Sequence, residues 1–135
     1  MQQKSRPDKV SAALTLLWIT ITVGVIRSVM EFSNSLEVAN AQGFGSGFVI
    51  FIIFFTLVFL AFFIFKIGKG KNWARITFLV LSITGIPFAV LPLFKSLLTN
   101  PISGILGIGQ TILEIIALVF LFQKQSSDWF KSMKK

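Results

Sequence analysis

Four apolar runs follow one another along the chain: Val10 to Ile26, Phe48 to Phe65, Ile76 to Phe94 and Ser103 to Gln123. A helix needs about 20 mostly apolar residues to cross the hydrocarbon of a bilayer. Every backbone N–H and C=O in that medium must find its partner within the protein, so such runs become helices. The expected fold class is all-α, an integral membrane four-helix bundle forming a single transmembrane domain over residues 1–135. Its helices are expected near 10–30, 47–66, 73–95 and 102–123.

The fourth run is the most informative, because it carries Glu114 close to its middle. On an insertion scale an ionised residue at a helix centre costs about 3 kcal/mol, and each Leu, Ile, Val or Phe returns about 0.5. Twelve such residues lie between Ile105 and Phe122, so the helix inserts despite the acid. Ser103, Gly107, Gln110, Glu114 and Ala117 recur at spacings of three and four and share one face. A small and polar stripe of this kind is used between packed membrane helices, so Glu114 is expected to face protein and not lipid.

Composition supports this class. Charged residues make up only 13% of the 135 residues, about half the share of an ordinary soluble domain, and mean hydropathy is +0.82. Cys and His are both absent. Disulfides, thiolate chemistry, histidine relays and the usual zinc or haem ligand sets are thereby excluded, so neither a metal nor another cofactor is expected. The net charge of +8 sits in short connections and tails beside apolar spans, which points to membrane topology and not to nucleic acid.

The connections give the orientation. The N-terminal tail carries Lys4, Arg6 and Lys9; the second connection and its flanks carry Lys66, Lys69, Lys71 and Arg75; the C-terminal tail carries four lysines. Arg27 and Lys95 alone belong to the other side, and eleven against two predicts both termini in the cytoplasm (N-in/C-in). A multi-pass bacterial inner-membrane location follows. Ala39-Asn40-Ala41 looks like a signal-cleavage site, but it lies well beyond the first apolar run, which reads as a retained helix. Val29, Phe32 and Leu36 could prolong the first helix, with a Gly-rich loop after them. Asn72 is a candidate cap for the third helix, and Asn100-Pro101 matches a cap followed by proline at the first helical position. Pro87 and Pro92 are expected to kink the third span.

Two sets of candidate site residues emerge. Thr20, Thr56, Thr84 and Glu114 lie near the midpoints of their spans and, with Ser82, Gln110 and Thr111, could form a polar layer holding a proton or cation. Alternatively, Glu114 hydrogen-bonds Gln110, Ser82 or Thr84 as interhelical glue. Arg27 and Arg75 lie about 10 to 15 Å from Glu114 along the membrane normal, so snorkelling to the nearer surface is expected of both. The second set, Lys69, Lys71, Trp73, Arg75 and Trp129, is placed to contact anionic headgroups. Arg75 could also dock a particular lipid or partner through its planar fork.

The stretches RPDKVSAALTLLW (Arg6 to Trp18), GKGKNWARITFLVL (Gly68 to Leu81) and ILEIIALVFLFQKQSSDWFK (Ile112 to Lys131) resemble a family of small, uncharacterised four-helix bacterial inner-membrane proteins. Its shared features are a basic-Asn-Trp-Ala-Arg turn before the third helix and a Trp-Phe-basic tail after the fourth. The resemblance implies the fold and the membrane, and brings no catalytic residue with it. Small multidrug transporters also have four helices and one membrane Glu, but theirs is in the first helix, and Val10 to Ile26 carries no acid.

The leading expectation is a non-enzymatic membrane protein that packs or assembles with partners, either copies of itself or another membrane protein. A small oligomeric proton-coupled transporter or channel using Glu114 is the competing expectation. Immunity against a membrane toxin is a further one.

Overall fold

A computed structural model describes residues 5–133. Within them the chain forms α1 (Asp8–Met30), α2 (Phe32–Ala41), α3 (Ser46–Gly68), α4 (Asn72–Thr99), α5 (Pro101–Leu121) and α6 (Lys124–Ser132), with no strand among the described residues. Four of these, α1, α3, α4 and α5, are long and apolar enough to cross a membrane. At about 1.5 Å of rise per residue, even the 21 residues of α5 match a hydrocarbon layer of about 30 Å.

The two remaining helices were not expected as separate elements. The first connection is helical as far as Ala41, and the loop is confined to residues 42–45. Glu31 breaks the helix without breaking its ladder, because its N–H donates to the Arg27 carbonyl (2.8 Å) and its own carbonyl accepts from Ser35 (2.9 Å). Gly43, with φ of 86°, supplies the left-handed turn that releases the chain into α3. The C-terminal tail is also helical. It turns back against the bundle, burying Trp129 and Phe130.

Asn72 does not cap α4. Lys71 holds the N-cap position, and the Asn72 side chain accepts from the guanidinium of Arg75 instead. Asn100 does cap α5, accepting from the Ser103 N–H at 3.4 Å with Pro101 at the first position. Pro87 and Pro92 both lie inside α4, which continues through them to Thr99.

Packing is uneven. α1 lies most extensively on α5, and α4 on α5 comes next, whereas α3 and α4 touch less despite their short connection. The buried core gathers at the end that holds the termini. There Val10, Leu14 and Leu17 of α1 meet Phe63, Ile64 and Ile67 of α3, Phe78 of α4, Leu121 of α5 and Phe130 of α6. Arg6 donates to the Gly68 carbonyl at the same end. Gly70, at φ of 80°, leaves no room for a Cβ against Met133. On α4 the buried residues are Ala74, Arg75, Phe78 and Ser82, and none follows Ser82. The outer faces carry large apolar side chains, among them Phe54, Phe88 and Leu98 at 67, 79 and 87% exposure. An unbroken apolar surface of that kind is what a lipid-facing helix presents.

Candidate functional site

The polar interior is organised on the small-residue face of α5. Ser103, Gly104 and Gly107 are buried there, so α1 and α4 approach closely. Arg27, in the last turn of α1, reaches across this face. Its Nε donates to the Ser103 carbonyl (3.1 Å) and its Nη1 to Gln110 Oε1 (3.2 Å). Gln110 in turn donates from Nε2 to the carbonyl of Thr20 (3.2 Å). One turn further along the chain, Glu31 sits 3.6 Å from the Arg27 guanidinium and accepts from the hydroxyls of Ser96 (2.7 Å) and Ser103. Three of the four long apolar helices are thus tied at the end away from the termini. Burial pushes the Glu31 carboxyl up, but the hydroxyls of Ser103 and Ser96 and the charge of Arg27 outweigh it and hold the group below the ordinary carboxylate range.

Glu114 makes a separate contact. Ser82, buried on α4, donates to its Oε1 at 2.6 Å. The pair borders a cleft of about 280 Å³ between α3, α4 and α5, which Thr111, Gly85 and Phe59 also line. The expected layer of polar residues is therefore divided. Gln110 turns toward α1 and Arg27, and Thr20 contributes its carbonyl while its hydroxyl returns to Leu16. The hydroxyls of Thr84 and Thr111 likewise bond their own helix, at Val80 and Gly107. Thr56 and Thr84 are exposed on the outer surface.

Of the residues expected at headgroup level, Lys69, Lys71 and Trp73 are exposed. Trp73 also meets the rings of Phe62 and Phe63 at about 6 Å, joining α4 to α3. Arg75 and Trp129 are placed differently, at 6 and 4% exposure. Arg75 does not snorkel. It donates to the Leu121 carbonyl (2.8 Å) and to Ser127 Oγ (3.2 Å), with its guanidinium 4.5 Å from the ring centres of both Phe122 and Phe130. The physical reason is that the end of α5 offers the Leu121 carbonyl and the Phe122 ring, and the return of α6 adds Ser127 Oγ and the Phe130 ring, which removes the need to reach water.

Sequence reasoning missed Arg27, Glu31, Ser96 and Ser103 as one cluster. The signal was the i, i+4 spacing of Arg27 and Glu31 beside a glycine-cleared helix face. It also missed a cavity of about 740 Å³ between α2, α3 and α4, bordered by Glu31, Lys95 and Ser96 at one end and by Ile52 and Leu91 nearer the middle of the spans. Comparison of the chain with protein-family models, with curated proteins and with solved structures gives no match, so the residues described above carry the functional reading alone.

Proposed function

We propose that the chain is a non-enzymatic integral membrane protein of the bacterial inner membrane, with both termini cytoplasmic, that acts as a packing and assembly partner within the bilayer. One observation carries this reading. The charged groups inside the bundle are each tied to a neighbouring helix, Arg27 to Glu31 and α5, Arg75 to Leu121 and Ser127, and Glu114 to Ser82, whereas α3 and α4 part beyond Ser82 and leave two cavities between them. A closed polar interior suits a scaffold, and a parted helix pair suits a surface that receives a membrane neighbour. Lys69, Lys71 and Trp73 would hold the turn between α3 and α4 at anionic headgroups, each cation contributing about 1 kcal/mol. Glu114→Gln keeps expression, assembly and any phenotype under this reading. A variant that folds normally yet loses the phenotype refutes it.

A second reading has its own support in the placement of Glu114 against a cleft at mid-span. There the protein is a small proton-coupled transporter, working as an oligomer. Proton flux into proteoliposomes separates the two. Flux above that of empty liposomes, abolished by Glu114→Gln, selects the transporter. Flux equal to empty liposomes under several gradients and candidate substrates selects the scaffold.

A further inference from the structure

We propose that the cavity between α2, α3 and α4 binds one zwitterionic phospholipid, its phosphate on Lys95, its ammonium on Glu31 and one acyl chain between α3 and α4. This goes beyond the partner reading and rests only on the parting of α3 and α4.

Size selects the class of occupant. The cavity, about 740 Å³, falls within the range of small-molecule sites, about 300 to 1,000 Å³. The charged lining residues Glu31 and Lys95 lie toward the helix ends beside apolar Val38, Phe48 and Leu98, and the lining further in is apolar. Glu31, Lys95 and Ser96 lie at or near the helix ends, whereas Leu91 lies about one turn further in than Lys95 and Ile52 lies less than two turns inside the start of α3. That order matches a lipid with its head at the surface and its tail inward. Left unfilled in a bilayer, the apolar part would forfeit the dispersion contacts that a chain supplies.

Charge selects the head. The Lys95 ammonium, on an exposed side chain, makes no ion pair or hydrogen bond among the described residues and is available to a phosphate, while the Lys95 carbonyl accepts from Thr99. The contacts of Glu31 with Arg27, Ser96 and Ser103 all end on Oε1, and Oε2 makes no hydrogen bond among the described residues. Oε2 is thus an open acceptor for a primary ammonium. A head with phosphate alone would leave Glu31 facing an anion, and a head with an amine alone would leave Lys95 facing a cation. One acid and one lysine on a single cavity fit a head that carries both charges.

The full chain in nanodiscs of equal phosphatidylethanolamine and phosphatidylglycerol, released and read by native mass spectrometry, tests the site. One phosphatidylethanolamine is expected to remain bound, preferred over phosphatidylglycerol by about tenfold, as one charge-assisted contact gives. Lys95→Ala, and Ile52→Trp, which fills the apolar part, should each lower retention by a similar factor while the melting temperature stays near that of the wild type. Equal retention of the two lipids, no retained lipid, or wild-type retention in Ile52→Trp overturns the proposal. A photo-crosslinker at Leu91 in native membranes keeps the two readings apart. A protein adduct there without retained lipid overturns the lipid site and leaves the partner reading standing. Retained lipid without any protein adduct supports the site and counts against the partner reading.

Discussion

The guanidinium of Arg27 lies on Gly107 so closely that a Cβ at that glycine would stand 2.8 Å from its Cζ. The absence of a side chain on α5 therefore gives Arg27 its path to Ser103 and Gln110, and fixes the distance at which α1 and α5 pack.

Gly107→Ala is expected to displace both Arg27 and Leu93, whose Cδ1 would be 2.5 Å from the new methyl. Overpacking of this kind costs about 1 to 3 kcal/mol, so the melting temperature in detergent falls. Gly109→Ala is the control. Nothing lies within 4 Å of a Cβ there, and the change should stabilise by about 0.5 to 1 kcal/mol through helix propensity. Equal behaviour of the two variants would refute the close approach.

Arg75→Lys keeps the charge but loses the planar group held between Phe122 and Phe130 and the forked bonds to Leu121 and Ser127. A loss of about 2 kcal/mol is expected, concentrated in the docking of α6. Limited proteolysis should then cut after Phe122 faster than in the wild type, with Trp129 fluorescence shifting to the red. An unchanged cleavage rate would mean that α6 is held by its apolar contacts alone.

Acid should loosen the cluster at the other end. The folded-state pKa of Glu31 is depressed below its ordinary value of 4.5. The stability it contributes is therefore present above that value and is lost as pH falls through the lower, folded one. The wild-type melting temperature should decline below about pH 4.5 more steeply than that of Glu31→Gln, which starts lower but carries no such titration. Parallel acid limbs would show that other carboxylates govern the decline.

The sidedness follows from the eleven-to-two distribution of Lys and Arg. Reporter fusions after Lys71 and after Lys135 should report the cytoplasm, and one inserted at Asn40, exposed on α2, the opposite side. A cytoplasmic signal from Asn40 would invert the orientation.

Hydropathy was enough to read the four long helices, because each is a continuous apolar run of the length a membrane-crossing helix needs. The packed face of α5 was equally legible, since helical spacing places Ser103, Gly107 and Gln110 on one side wherever the neighbours lie. The inward turn of Arg27 and Arg75 was not. A charged residue near a span end can reach the surface or a neighbour, and the choice depends on acceptors supplied by helices distant in sequence. For Arg27 these are Ser103 and Gln110, more than 70 residues away; for Arg75 they are Leu121 and Ser127. The burial of Trp129 escaped for the same reason. Amphipathic tails look alike whether their apolar face meets lipid or a bundle end, and only the aromatic pocket built with Phe130 distinguishes them.

With the four long helices spanning a bilayer as proposed, the concentration of the core at one end would give the two leaflets different outlines of the same molecule. Around the termini the bundle offers a filled cross-section with α6 sealed against it. At the other end α3 and α4 form a fork, and whatever enters or leaves that fork changes the area claimed from one leaflet only. In that placement occupancy of the fork would be coupled to lateral pressure on that side of the bilayer, and tension applied there alone would shift it while an equal tension in the opposite leaflet would not.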